Sequence, residues 1–168
     1  MITPSYVLVM AEYNAEMNRR LYAAAGRLSD EARRADGGAF WHSIHGTLNH
    51  LLWGDRVWMA RFEDLPRPPG SMQESPSLIE DFAALRAARE EEDARIGNWA
   101  GRVTQDWLDQ DLVWRSGGDG AERRRGRAGL VMHFFNHQTH HRGQAHALIT
   151  RAGEATGDTD LFLVVAIS

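Results

Sequence analysis

Histidines at helical spacing are the residues of this chain that are best suited to chemistry. His137 and His141 are four positions apart, so on a helix their imidazoles lie one above the other on the same face. This is the spacing by which one helix gives two ligands to a single metal ion. A third ligand must come from another segment, and His50 is the best candidate because it lies on a second predicted helix. The sequence therefore predicts a divalent-metal site formed by His50, His137 and His141.

The spacing alone leaves other ligand sets open. His133 and His137 are also four apart, and His137 and His140 are close enough on a helix to share an ion. We prefer His137 and His141 because both occupy core positions of an apolar stripe, where two imidazoles without partners would be costly. Bis-histidine haem is a further alternative, but a pair on one helix suits one small ion better.

The composition excludes several other chemistries. The chain has 168 residues, of which 43% are hydrophobic, and we expect one domain covering residues 1–168. It has no cysteine, so disulfides, thiolate ligands and cysteine nucleophiles are absent, and a metal must use His, Asp or Glu. All 19 basic residues are arginine, which excludes a Schiff-base lysine. The net charge of -4 argues against nucleic acid as a partner.

Other common motifs are also missing. There is no pair of Glu-x-x-His motifs for a di-iron site, no H-E-x-x-H, no G-x-S-x-G and no dinucleotide-binding glycine pattern. The first residues do not resemble a signal peptide, and the apolar run from Leu161 to Ile167 is too short to span a bilayer. We therefore expect a cytoplasmic location and no membrane partner.

Hydrophobic periodicity predicts an all-α fold with four long helices. Their approximate bounds are Ser5 to Leu28, Ser43 to Phe62, Ser77 to Val103, and Arg127 to Arg151. Gly153 is the predicted stop signal of the last helix, and Ser29 is the predicted cap of a short turn. Between the third and fourth helices, Asp111 to Ser116 and Ala121 to Arg125 are compatible with a small β-hairpin. A tail from Gly157 to Ser168 is expected to pack on the helices through its apolar end.

Several polar residues interrupt the apolar stripes. Asn14 and Asn18 need buried partners, either on a neighbouring helix or at the site. Asp55 is a candidate for supporting the metal ligands or transferring a proton, and the alternative is a structural ion pair. Arg142 is a candidate clamp for a substrate carboxylate, and the alternative is a surface or capping role.

Two further features concern the helix surfaces. The charged middle of the third helix, Arg89 to Arg95, is predicted to be a solvated face. Gly46 and Gly54 lie one turn either side of His50 and are expected to leave space beside its imidazole. The run Arg123 to Arg125 is interpreted as a solvated hairpin arm or an anion clamp over a pocket.

At His50 and at the segment from Asn136 to Gln144, the chain resembles the DinB family. The resemblance extends over nearly the whole chain and includes Tyr13-Asn14 and Asn18 in the first helix and Asp55 and Trp58 in the second. It implies a four-helix up-down-down-up bundle, often a homodimer. It also implies a divalent metal, commonly zinc or nickel, with manganese or iron as alternatives, held by three histidines that map onto His50, His137 and His141.

The resemblance also suggests an activity. Characterised relatives use low-molecular-weight bacterial thiols as thiol S-transferases or as a thiol-dependent isomerase, and the family name records damage-inducible expression. We therefore expect a metal-dependent enzyme of the thiol S-transferase type acting on a small-molecule substrate. The alternatives are a metallohydrolase on the same site, a non-catalytic stress-induced protein that binds a metal or ligand, and a helical interaction module without metal.

Overall fold

The computed structural model describes residues 1–166, which are mostly helical with one small β-hairpin. The elements in chain order are α1 (Pro4–Ala25), α2 (Asp30–Arg34), α3 (Ile44–Phe62), a 3-10 turn (Ser75–Ser77), α4 (Phe82–Ala100), α5 (Gln105–Leu108), β1 (Asp111–Arg115), β2 (Glu122–Gly126), α6 (Arg127–Arg151) and α7 (Leu161–Val164). The predicted helical class is confirmed. None of the helices within residues 1–166 combines the length and apolarity that crossing a membrane requires.

The chain after Gly157 contains the short helix α7. Val165 is buried there, whereas Phe162 and Leu163 are exposed. Ile167 and Ser168, the end of the tail that was predicted to pack on the helices, lie outside the described residues.

Side-chain caps start the helices close to the predicted positions. The Thr3 hydroxyl accepts a hydrogen bond from the backbone N–H of Tyr6 at 3.3 Å, at the start of α1. The Ser43 hydroxyl accepts one from the backbone N–H of Gly46 at 3.0 Å, at the start of α3. The short helix predicted after Ser29 and the bounds predicted for α6 are also confirmed.

The start of α4 differs from the prediction. The periodicity predicted a helix from Ser77, but α4 begins at Phe82, where the Asp81 carboxylate caps the backbone N–H of Ala84 at 2.7 Å. The preceding backbone is bound to α3 instead: the Ile79 N–H donates to the Asn49 side chain at 3.0 Å, and the Ile79 carbonyl accepts from the same amide at 3.1 Å. These bonds to α3 replace helical ones, so the helix starts later.

The predicted hairpin is confirmed. Strand β1 pairs antiparallel with β2, and β2 leads directly into α6. The indole ring of Trp114 on β1 lies 6.0 Å from that of Trp58 on α3. The hairpin is therefore held against the outer part of α3 by aromatic contact.

Two apolar clusters fill the space between the long helices, in which α1 and α3 each pack against both α4 and α6. The Phe134 cluster has at its centre Val7, Met59, Phe62, Ile96, Trp99 and Phe134. The Leu48 cluster has at its centre Leu21, Leu48, Leu52, Leu85, Leu148 and Ile149. On every long helix, the residues between the two clusters include buried polar side chains.

We call these side chains, together with the partly buried Asp93, the polar layer: Asn14, Asn18, Asp55, Arg89, Asp93, Gln138 and Arg142. The prediction that Arg89 to Arg95 form a solvated face is wrong for the residues that turn inward. Arg89 is 1% exposed and Glu92 is 5% exposed. Their burial is compatible with a stable fold because opposite charges face them from the same and neighbouring helices.

Arg89 lies at the centre of the polar layer. One guanidinium nitrogen donates to Asp55 on α3 at 2.6 Å, and another lies 2.8 Å from Asp93, one turn along α4. The amides of Asn14 and Asn18 on α1 donate to Asp93 at 3.3 and 2.9 Å. Burial raises the pKa of both carboxyl groups, and the Arg89 guanidinium opposes that rise.

We predict that Arg89→Met lowers the free energy of unfolding by about 3–5 kcal/mol, because it leaves two buried carboxylates without their cation. Urea denaturation followed by circular dichroism measures the change. The control is Arg86→Met on the same helix, where the lost partner is the exposed Glu90. It should cost no more than about 1 kcal/mol. Equal losses in the two variants would contradict a central role for Arg89.

Candidate metal centre

Three imidazoles meet where α3 packs against α6. One ring nitrogen from each of His50, His137 and His141 lies within 4.8 Å of the other two. The ring centroids are 4.4 Å apart for His137 and His141, and 4.6 Å apart for His50 and His141. The structure thus brings together the three histidines that the spacing predicted.

The three rings are held neutral. Burial, and to a lesser extent the neighbouring imidazoles, lower the pKa of His50 and of His137 to about 3. Burial also lowers the pKa of His141, against a hydrogen bond from its side chain to Gln144 that raises it. At neutral pH each ring therefore keeps a nitrogen lone pair, which is the form that binds a metal.

Hydrogen bonds identify which nitrogen of His50 is free. The Ser75 hydroxyl donates its only hydrogen to the Met72 carbonyl at 2.7 Å, so it can only accept from Nδ1 of His50, which lies 2.8 Å away. The proton of His50 is therefore on Nδ1, and the lone pair is on Nε2. A hydrogen bond to the outer ring nitrogen is the arrangement that orients metal-binding histidines.

His141 is oriented in the same way. Its Nδ1 lies 2.8 Å from the side-chain oxygen of Gln144, which can only accept. The amide nitrogen of Gln144 lies 3.2 Å from Nε2 of His140, and this contact sets the amide orientation. The lone pair of His141 is therefore also on Nε2.

His137 has a different environment. Its Nδ1 is buried and has no hydrogen-bond partner within residues 1–166. A Cβ built on Gly54 would lie 2.8 Å from Cε1 of His137, so the absence of a side chain at position 54 makes room for this ring. Gly54 was expected to leave space beside His50, but the space belongs to His137, and Gly46 instead adjoins the Trp41 carbonyl and the Ser43 hydroxyl.

These observations fit a divalent cation. Three neutral imidazoles converge, two of them with their outer nitrogens hydrogen-bonded and one with a buried nitrogen that lacks a partner. Nitrogen donors of this kind suit zinc, nickel, copper and iron, and a set of three leaves coordination positions for a substrate or water.

The cluster opens into a cavity of about 400 Å³. The Trp41 indole stacks on the His50 imidazole, with ring centroids 4.0 Å apart. The cavity is otherwise lined mainly by aromatic and aliphatic side chains, with His133 and His140 outside the cluster. The lining residues are Phe40, Trp41, His50, Trp53, Gly54, Val57, Trp58, Arg61, Met72, His133, His137, His140 and His141.

The other two predicted site residues are in the polar layer and do not line this cavity. Asp55 is fully buried against Arg89. The Arg142 guanidinium donates to the side-chain oxygen of Asn14 and lines a second cavity of about 350 Å³ with Tyr13 and other residues. On α6, Arg142 and the metal-site histidines therefore face different cavities.

Sequence reasoning missed three residues that shape the site. Ser75 lies in a loop without periodicity, and Trp41 precedes α3, so neither carried a helical signal. Arg61 is on α3 three turns after His50, and its position on the cavity side of that helix was a readable signal.

The chain also matches a family of known proteins. The DinB family model matches residues 1–166. The chain belongs to the DinB family. A comparison with curated proteins found no match. The family assignment covers all four long helices, including the two that carry the three histidines of this DinB protein.

For this DinB protein we predict that Gly54→Ala lowers zinc affinity by about tenfold or more, because the new methyl group displaces the His137 ring. Competition with a chromogenic chelator measures the affinity. The matched control is Gly97→Ala in α4, where a Cβ would meet nothing within 4 Å. It should keep the affinity and raise the free energy of unfolding by about 0.5–1 kcal/mol.

We also predict that Ser75→Ala lowers zinc affinity by about 10- to 100-fold, because Nδ1 of His50 loses the acceptor that orients the ring. Ser77→Ala is the control in the same turn, since the exposed Ser77 hydroxyl bonds only the Glu74 carbonyl. The same chelator competition serves both variants. An unchanged affinity in Ser75→Ala would mean that this hydrogen bond does not support a ligand.

Proposed function

We propose that the protein is a metal-dependent enzyme of the low-molecular-weight-thiol S-transferase type. His50, His137 and His141 hold the ion, with zinc or nickel as the first candidates and manganese or iron as alternatives. The observation that carries the proposal is the cluster of three neutral imidazoles at the wall of an open, largely apolar cavity. Membership of the DinB family supports it, because the family resemblance implies thiol chemistry.

The ligand set supports a catalytic site. Three imidazoles leave an ion with open positions, which is typical of catalytic sites and not of closed structural sites. Such an ion, when bound, lowers the pKa of a thiol or a water molecule beside it. Because the chain has no cysteine, a substrate thiol has no competing protein sulfur.

The cavity favours a thiol over water as the nucleophile. No carboxylate among residues 1–166 lines it, so it lacks the usual general base of a metallohydrolase. His133 lines the cavity, and burial and the nearby Arg61 lower the pKa of its imidazole, so the ring is neutral and has a lone pair that can accept the thiol proton and pass it on to solvent. In the proposed step the thiol proton passes to such an imidazole, the sulfur bonds to an electrophilic carbon, and the leaving group departs with its electron pair.

We further propose that the helices form one domain with the up-down-down-up bundle topology. The order of the two apolar clusters along each helix supports this. Helices α1 and α6 pass from the Phe134 cluster to the Leu48 cluster, whereas α3 and α4 pass from the Leu48 cluster to the Phe134 cluster. The first and last long helices would then be parallel to each other and antiparallel to the middle two.

For Asp55 and Arg142 we propose positioning roles. Asp55 ties α3 to α4 through Arg89, and Arg142 ties α6 to α1 through Asn14. Both act on the relative placement of the helices that carry the histidines. Neither residue lies where it would touch a substrate in the histidine cavity.

The first test is metal content. Untagged protein purified without chelating resin should carry about one divalent ion per chain by mass spectrometry. His137→Ala should lose most of it, whereas His133→Ala, which removes an imidazole from the same cavity but from outside the cluster, should keep it. Retention of the ion in His137→Ala would contradict the ligand assignment.

The second test is turnover. With a small thiol and chlorodinitrobenzene, the metal-loaded protein should form the thioether and release chloride and a proton, and the metal-free protein should not. Ester hydrolysis that proceeds without any thiol would favour a hydrolase and contradict the proposal. Tight metal binding without turnover of either kind would identify a non-catalytic binding protein.

A further inference from the structure

Arg61 is a charged side chain in the cavity that contains the histidine cluster. Its guanidinium carbon lies 4.4 Å from the ring centroid of Trp58 and 5.5 Å from that of Trp114 on the hairpin. It has no ion pair and no hydrogen bond with any residue in 1–166, although many other arginines of the chain pair with a carboxylate. Two aromatic faces therefore hold the guanidinium while its N–H groups stay free.

The charge around Arg61 is not balanced. The cavity lining described within residues 1–166 contains no Asp or Glu, even though the chain has 23 acidic residues and a net charge of -4. Arginine keeps its charge at neutral pH even when partly buried. A divalent ion would add two more positive charges. A half-buried cation without a counter-ion is costly, so the cavity is built to receive an anion.

The spacing of the cavity-lining residues along α3 limits the length of that anion. His50, Gly54, Trp58 and Arg61 recur at intervals of three and four, so all lie on the helix face that lines the cavity. Gly54, beside His137, and Arg61 are two turns apart, or roughly 10 Å along the helix at 1.5 Å per residue. An extended arginine side chain spans part of this distance, which leaves room for a molecule a few carbon atoms long.

We propose that Arg61 binds a carboxylate of the substrate, so that the substrate is a small thiol acid with its sulfur toward the three imidazoles. This inference rests on the proposed function and names the substrate class of the same site. The planar guanidinium matches a carboxylate through two parallel hydrogen bonds. Contact with the rings of Trp58 and Trp114 restricts the guanidinium before the substrate arrives, which lowers the entropy lost on binding.

The test compares 3-mercaptopropionate with its amide, two probes of nearly equal size that differ by the negative charge. Binding to the zinc-loaded protein is followed by NMR titration, including the side-chain Nε–H signal of Arg61. We expect the acid to bind about tenfold more tightly than the amide and to shift the Arg61 signal. Equal binding of the two probes would overturn the proposal.

Variants test whether Arg61 is the source of the preference for the acid over the amide. In Arg61→Gln the ratio of acid to amide affinity should fall to about one, and Arg61→Lys should keep a reduced preference because it keeps the charge. Arg86→Gln makes the same change in net charge away from the cavity and should leave the ratio unchanged. A preference that survives in Arg61→Gln would assign the carboxylate to the metal and overturn the proposal.

The metal content of each sample separates this inference from the proposed function. If the protein takes up no metal, the proposed function fails, and the same two probes are titrated into the metal-free protein. The preference for the acid should persist there, because the guanidinium does not depend on the ion. If the protein binds zinc but does not prefer the acid, the role of Arg61 is overturned and the proposed function is not.

Discussion

The buried ion pair between Arg89 and Asp55 is the interaction on which the rest of the structure depends. Taking these charges out of water costs several kcal/mol for each ion, and only close pairing offsets that cost. Asp93, with its two amide donors from α1, completes the arrangement. A polar layer of this kind tolerates little sliding between helices, since a shift of one turn would separate the charges. It therefore sets the register of α3 and α4 while the apolar clusters supply the general attraction.

The polar layer also adjoins the metal centre. Asp55 directly follows Gly54 on α3, and Gln138 and Arg142 directly follow His137 and His141 on α6. Each helix thus carries polar-layer residues and site residues within the same two turns. The contacts of the layer run from Asp55 on α3 through Arg89 and Asp93 on α4 and Asn14 on α1 to Arg142 on α6, so they link the two helices that carry the histidines. The site then needs little support of its own beyond Ser75 and Gln144.

The two buried polar regions differ in charge balance. In the polar layer, the positive charges of Arg89 and Arg142 match the negative charges of Asp55 and Asp93. In the histidine cavity, Arg61 has no carboxylate partner in the part of the chain that the structure describes. A balanced layer is compatible with a stable fold, whereas an unbalanced cavity is suited to a ligand of the opposite charge. This contrast distinguishes the binding region from the structural one.

The sequence by itself determined the long helices, the hairpin and the three histidines, because these depend on local periodicity, capping residues and spacing. It also identified Asp55 as a carboxylate in need of a partner. Only the tertiary structure decided what that partner is, since Arg89 lies 34 positions away on a helix whose charged run is typical of a solvated face. The tertiary structure also decided that Ser75 supports His50, that the His137 ring occupies the space at Gly54, and that Arg142 faces a cavity other than the histidine cavity. These depend on how helices are placed against each other, and no periodicity within one helix records that placement.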